Sequence, residues 1–264
     1  MAIQGKFIIG KHNKQNKPKN MSKVITLANF KGGVGKTTST LNIGAGLSIL
    51  SKKVLLIDLD PQFNLTQSLG VDEDINTTIY EALTSQKHIK PVVITENLHL
   101  IPSSLDLIKA ELELSSQFKR EFILSKVIEP YKAKYDYIII DCPPALGLLT
   151  INSFIASDYI FIPIEAEFLA LKGYTILNEA IGKVGLQIDK VFITKYDKRK
   201  ILNKNVSESI RTNLQDKVFK TVIRDNIALA EAPAKGQSIF EYNPESTGAE
   251  DYLSLCKEII QEYK

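Results

Sequence analysis

Residues 24–38 read VITLANFKGGVGKTT. An apolar, β-branched run from Val24 to Ala28 stops at Asn29-Phe30. Lys31, Gly32, Gly33, Val34, Gly35, Lys36, Thr37 and Thr38 follow, and then a stretch of helical character from about 38 to 50. Strand, glycine loop and helix, in that order, make the context that a phosphate-binding loop requires. The glycines let successive backbone N–H groups curl round an anion, and the helix behind them points the positive end of its dipole at it. In such a loop Lys36 reaches the β- and γ-phosphates of a nucleotide, and Thr37 offers its hydroxyl to Mg²⁺. The segment from Gly32 to Thr38 is the expected cradle.

The general pattern G-x-x-x-x-G-K-[ST] asks for glycine at position 30, where this chain has Phe30, followed by a second loop lysine, Lys31. KGGVGKT is the deviant Walker A form. In it the chain resembles the ParA/MinD/nitrogenase-iron-protein group of dimeric nucleotide-switch ATPases. The resemblance implies that Lys31 reaches across a dimer interface to the nucleotide of the partner subunit.

Hydrolysis also needs groups that hold metal and orient water. Two later segments, VLLIDLDPQFNLTQSLG (54–70) and YDYIIIDCPPALGLLTIN (135–152), supply carboxylates at the ends of buried strands. Asp58 and Asp60 follow the run Val54 to Ile57, and Asp141 follows Ile138 to Ile140. In open α/β sheets ligands bind at that end of the strands. Asp141 has the setting of a Walker B aspartate, and Asp58 is a second candidate for the metal. Either residue alone reads equally well as the start of a turn or a helix cap. Three carboxylates at strand ends downstream of a phosphate loop favour the functional reading.

IDLDPQFN resembles the ParA form of the switch sequence, which implies that Asp60 positions or activates the attacking water. DCPPALGLLTIN, EAEFLALKGYTIL (165–177) and the segment 222–259 resemble ParA as well. The likeness runs from about residue 23 to the end, and the chain is identified as a ParA-like ATPase of the short type. It implies ATP and Mg²⁺ as cofactors, Pro233 at the adenine, and an ATP-dependent homodimer that binds DNA without sequence preference. It also implies a ParB-type partner that triggers hydrolysis. The expected outcome is plasmid or chromosome segregation, in a cytoplasmic, nucleoid-associated protein. A MinD-like positioning ATPase, acting at a membrane or on a protein cargo, is the alternative built on the same core. An amide-forming biosynthetic enzyme of the same superfamily finds no substrate motif here.

Composition fits one α/β domain. The chain has 264 residues, 44% of them hydrophobic, enough for a sizeable core. No apolar run approaches the ~18 residues of a membrane span. Short apolar strands, about 24–29, 54–58, 98–101, 137–141, 159–163 and 190–194, alternate with helices. The helices fall at about 38–50, 77–84, 105–128 in two pieces, 146–155, 168–184, 203–213 and 247–263. That alternation predicts a mostly parallel sheet with helices on both faces, a P-loop NTPase fold. The two cysteines, Cys142 and Cys256, lie in no ligand-spaced cluster and read as free thiols. The three histidines read as surface or loop residues.

Charge is unevenly spread. The first 23 residues hold six lysines and no acid; without them 27 basic residues face 30 acidic ones. Residues 1–22 read as a separate basic, disordered arm, and 23–264 as the ATPase domain. A second basic stretch, 190–224, carries ten basic against three acidic residues. Phosphate neutralisation by such a stretch gives sequence-independent, salt-sensitive DNA binding. Lys204, Arg211, Lys217, Lys220 and Arg224, with Lys235 beyond them, are the DNA candidates. ParA relatives have an arginine where this chain has Ala228, so Arg224 or Lys235 is expected to compensate. The last segment, 251–264, is amphipathic with mixed charges and is expected to pack on the body, since a membrane-surface helix wants a basic polar face.

Overall fold

The computed structural model describes residues 22–72, 77–85 and 87–264. The basic arm, but for Ser22, lies outside the described residues. Ser22 itself is buried and donates its N–H to the Lys132 carbonyl, so the folded body includes it.

Eight strands form one sheet: β1 (Lys23–Leu27), β2 (Val54–Asp58), β3 (Val92–Thr95), β4 (Leu98–Ile101), β5 (Tyr137–Asp141), β6 (Tyr159–Glu165), β7 (Lys190–Tyr196) and β8 (Val218–Arg224). Their order is β3-β4-β2-β5-β1-β6-β7-β8, all parallel except β3, which runs antiparallel to β4. The helices are α1 (Lys36–Ile49), α2 (Asn64–Ser68), α3 (Ile79–Ser85), α4 (Leu107–Ser115), α5 (Ile123–Ile128), α6 (Leu148–Ala156), α7 (Ala170–Lys183), α8 (Ile201–Leu214), α9 (Ala228–Glu231), α10 (Ile239–Tyr242) and α11 (Thr247–Glu262).

VLLID and YIIID are buried at every position because helices cover both sides of the sheet. Period-2 alternation then sorts the side chains. Ile25, Leu27, Leu56 and Ile139 meet α1 and α11 on one face. Val24, Leu55, Ile57, Ile138 and Ile140 meet α3 to α6 on the other, and Ile162, Val191 and Ile193 meet α7 and α8. From β1 the sheet grows outward through β5, β2 and β4 on one side and through β6, β7 and β8 on the other. The carboxyl ends around β1 therefore border a crevice of the kind that binds ligands.

Sequence and structure part at several places, all short elements: α9 and α10, of four residues each, were not expected, nor were those that follow. The segment after α8, for which no strand was expected, is β8, parallel to β7; a buried Val218-Phe219 pair and Ile223 give it core to join. β3 and α2 were not expected, since VVIT and NLTQS are too short to show a period. His99 stands within β4, inside the strand expected at 98–101, its Nδ1 2.7 Å from the Tyr135 hydroxyl. α11 packs on the body as expected, with Tyr252, Leu255 and Ile259 buried.

Two glycines fix the turn that follows α9. Gly70, after α2, and Gly236, after a 3-10 turn over Ala232–Lys235, both have φ of 66° and touch back to back. A Cβ on Gly236 would sit 2.9 Å from the Gly70 Cα, a backbone atom that has no rotamer to yield. Gly236→Ala is expected to destabilise the protein by about 2 kcal/mol, through left-handed strain and overpacking together. Chemical denaturation checks this, and an unchanged midpoint would contradict the contact.

Candidate nucleotide-binding site

The loop after β1 is shaped by its neighbours as much as by its glycines. Gly33 and Gly35 take φ of 72° and 88°, which an L side chain rarely adopts. The Asn29 amide donates to the Pro163 carbonyl at 2.8 Å, and its oxygen accepts from Lys31 N at 3.0 Å. On the other flank, the Thr194 hydroxyl donates to the Val34 carbonyl at 2.9 Å. Phe30, where the general pattern has glycine, is half-buried against the α7–α8 cluster. The loop is thus pinned to the ends of β6 and β7.

Gly35 is the N-cap of α1, and no side chain caps the helix. Its first-turn N–H groups are left to a ligand, the arrangement that suits an anion. They open on a cavity of about 460 Å³ lined by Gly32, Gly33, Gly35, Lys36, Thr37, Thr38, Asp60 and Pro233, among others. Lys36 is only 8% exposed.

Asp141 lies beneath the cavity. Its Oδ2 accepts from the Thr37 hydroxyl at 2.7 Å, and the Thr40 hydroxyl lies 3.2 Å from its Oδ1. Complete burial pushes this carboxyl up to about 6, although Thr37 and Lys36 work against the shift. Asp58, level with Asp141 in the β2–β5 register, is also fully buried. Burial, and then the charge of Asp141, push it up to about 7.

Asp58 is placed differently from the expectation that it faces a metal. Its Oδ1 accepts from Asp60 N at 3.1 Å, and its Oδ2 accepts from both the N–H and the hydroxyl of Thr66. It holds the start of α2 against β2 and is not among the lining residues of the cavity. Asp60 does line it, 7% exposed, with Oδ1 accepting from Gln62 N at 2.9 Å. The Ser103 hydroxyl holds the Asp60 carbonyl at 2.8 Å.

Lys31 is half-exposed at the mouth. Its ammonium pairs with Glu165 at 3.2 Å and with Glu167. Partial burial lowers its pKa, but the two carboxylates outweigh that and leave it raised.

The structure therefore gathers Gly32, Gly33, Gly35 to Thr38, Asp60 and Pro233 around one space, with Asp141 behind its lining and bonded to Thr37; Val34 is buried away from it. It also adds residues that lie within the quoted segments but were not singled out there. Gln62, Asn64 and Ser68 come from the unexpected α2 and the turn before it, and Pro144 from the loop after β5. A second cavity of about 130 Å³ shares Gly35, Thr38, Leu229 and Ala230 with the first and includes Asn226. Among the described residues there is no group of three His, Cys, Asp or Glu side chains of the kind that holds a metal by protein ligands alone.

The DNA candidates are scattered by the fold. Arg224 is bonded to Asp251 through its backbone N–H and guanidinium, and to Glu250 at 2.6 Å, which raises its pKa. Arg211 donates to the Phe219 and Lys220 carbonyls, each at 3.0 Å, and so ties α8 to β8. Lys235 sits in the turn beside Gly236 that packs on α2. Lys204 and Lys220 are exposed and Lys217 half-buried along α8, β8 and the turn between them. Ala228 is buried in α9.

Residues 22–195 match the family described as AAA domain. The chain is 43% identical over 249 residues to the sporulation initiation inhibitor protein Soj of Bacillus subtilis, covering 90% of this chain and 98% of that protein. It is 41% identical over 249 residues to the chromosome-partitioning ATPase Soj of Treponema pallidum, covering 91% and 98%. A putative plasmid partition protein of Borrelia burgdorferi, solved bound to AMPPNP, superposes with a TM-score of 0.79 at 29% identity, covering 91% of this chain and 99% of that one.

Thr66 supplies two of the three donors that hold the buried Asp58 carboxylate and is itself 3% exposed. Thr66→Val keeps the shape and removes the hydroxyl. It is expected to cost about 2 kcal/mol of stability, since a buried charge loses a bond. Because that bond favours the ionised form, the Asp58 pKa should rise further. Carboxyl titration by NMR, with thermal unfolding, checks both; an unmoved Asp58 resonance would contradict the assignment.

Proposed function

Because the chain belongs to the Soj/ParA family of partition ATPases, we propose that it binds Mg·ATP at the loop after β1 and couples hydrolysis to the movement of DNA. The observation that carries this reading is one cavity faced by Lys36, Thr37 and Asp60, with Asp141 bonded to Thr37 beneath it.

The residues fit the ligands. The uncapped start of α1 and the left-handed glycines suit phosphate oxygens. A threonine hydroxyl beside a buried carboxylate is a hard-oxygen pair suited to Mg²⁺, which takes one or two protein groups together with substrate phosphates. Bound Mg²⁺ would supply charge neutralisation at the β- and γ-phosphates. Thr37 and Asp141 would hold it. Lys36 would bind the same phosphates from within the loop. Asp60, fixed at one oxygen by Gln62 N, would orient water with the other.

The ATP dimer is read from the mouth. Lys31, Gly32 and Gly33 are exposed there. The loops after β5 and β6, at the same end of the sheet, expose Leu146 (45%), Phe168 (82%) and Leu169 (61%). A second subunit placed over the mouth would cover this apolar surface, and Lys31 would leave Glu165 and Glu167 for the partner's nucleotide. DNA would lie along α8 and β8 on Lys204, Lys217 and Lys220. A ParB-type partner would stimulate hydrolysis and release. The membrane alternative fits less well. α11 turns its apolar side into the core, and no helix among the described residues is long and apolar enough to cross a membrane.

Asp60→Ala is expected to bind ATP and to accumulate as a dimer in size-exclusion chromatography, while turnover falls by about a hundredfold or more. Lys36→Ala, which lacks the phosphate cation, should bind no nucleotide. Turnover by Asp60→Ala at the wild-type rate would remove Asp60 from the chemistry.

Charge reversal at Lys204, Lys217 and Lys220 together is expected to abolish retention of duplex DNA while ATP-dependent dimerisation survives. Partial variants should lower the slope of log K against log salt by about 0.9 per lost phosphate contact. Arg211 and Arg224 are unsuitable for reversal, because both hold the fold together. If the triple variant still binds DNA and deletion of residues 1–20 does not, the N-terminal arm is the DNA-binding element.

A further inference from the structure

Lys195 belongs, in sequence, to the basic stretch 190–224, and the fold takes it away from that surface. β7 ends Thr194, Lys195, Tyr196. The buried Thr194 hydroxyl is bonded to the Val34 carbonyl of the phosphate loop, so the backbone of Lys195 is fixed relative to that loop. Lys195 then turns with φ of 50°, in the left-handed region. That conformation costs a side chain-bearing residue free energy, and such strain persists where surrounding structure over-determines it, often at ligand sites.

The turn brings Lys195 onto both cavities of the site. It lines the 460 Å³ space with Lys36 and Thr37, and the 130 Å³ space with Asn226. It therefore stands at their junction. Arg224, the other cationic residue lining the smaller space, is taken up by Asp251 and Glu250. The Lys195 side chain is 48% exposed and its ammonium lies 3.9 Å from Glu165 Oε1, while Glu165 Oε2 holds Lys31 at 3.2 Å. This loose contact leaves Lys195 free to exchange Glu165 for a nearer anion.

We propose that Lys195 is a further nucleotide-binding residue, gripping the phosphate closest to the nucleoside from the β7 side of the site. The inference rests on the reading of the phosphate-loop cavity as the nucleotide site. A nucleotide whose terminal phosphates lie on the loop, and whose nucleoside extends over Leu229 and Ala230, which line both spaces, toward Pro233, carries its first phosphate past the junction. That phosphate is common to ADP and ATP, so Lys195 serves both. Lys31, by contrast, is assigned above to the partner's triphosphate. With nucleotide bound, Lys195 leaves Glu165, which then keeps Lys31 alone until a dimer forms.

The test is calorimetric titration of the full chain with Mg·ADP and Mg·AMPPNP. Lys195→Met keeps the stem and removes the charge. It is expected to weaken both ligands about tenfold and to a similar extent, as loss of one charge-assisted bond does. Lys195→Arg should bind both within about threefold of the wild type. Lys195→Gly adopts the same φ without strain, so its folding is secure, and it should weaken ADP as much as Lys195→Met. Wild-type ADP affinity in Lys195→Met or Lys195→Gly overturns the proposal, and so does a loss confined to the triphosphate. Lys36→Ala in the same titration separates the two readings. If it abolishes binding while Lys195→Met does not, only the role of Lys195 fails; if it binds normally, the site itself is misassigned.

Discussion

Two carboxylates stand side by side in the core of this protein. β2 and β5 pair with Asp58 level with Asp141, and neither is exposed. Burying two like charges is unfavourable, and the raised pKa of each records it. The surrounding structure supplies what such a pair needs. Asp58 takes two donors from Thr66 and one from the Asp60 backbone; Asp141 takes Thr37 and has Lys36 near it. The two residues thereby divide the work. Asp58 ties α2 to the β2 end and holds the backbone of Asp60 in the loop between them, and Asp141 is bonded to the first turn of the phosphate-loop helix. Site geometry follows from satisfying this pair, and a bound divalent cation would relieve the charge that remains.

The loop itself depends on strands that are distant in sequence. Asn29 reaches β6 at Pro163, and Thr194 of β7 reaches Val34. The third strand-end contact, Glu165 with Lys31 and Lys195, is ionic and partly exposed. Exposed ion pairs of this kind contribute little to stability. That makes them suitable to be exchanged when a phosphate group or another subunit arrives, whereas the buried hydroxyl and amide bonds keep the loop in place throughout.

Charge on the body is rearranged by folding more than by composition. In the stretch 190–224, Arg224 is matched by Asp251 and Glu250, Lys190 by Glu262, and Arg199 by Asp197. Lys195 lines the cavity at the phosphate loop. What remains is the set of lysines along α8 and β8, with Lys198 and Lys200 exposed in the loop before α8. A run of like charge along a chain is a poor guide to a surface, because partners come from elements distant in sequence: Glu250 lies 26 residues from Arg224, and Glu262 comes from the last helix to meet Lys190.

The sequence by itself determined the phosphate loop, the parallel sheet, the strand-end positions of Asp60 and Asp141, and the family. Each of these is local: a glycine pattern, a buried strand of five residues, a carboxylate one step beyond it. Only the tertiary structure decided the rest. Whether Asp58 faces a ligand or a helix start depends on where Thr66 lies, and that depends on α2, too short to announce itself. Whether Arg224 is a DNA contact or a brace depends on Glu250 and Asp251 of α11, 26 and 27 residues further on. Lys195 looks like any surface lysine until β7 is laid two strands from β1 and its end is tied to Val34. Short-range patterns fix backbone conformation and burial, but which side chains share a space is set by strand order and register, and these are properties of the whole chain.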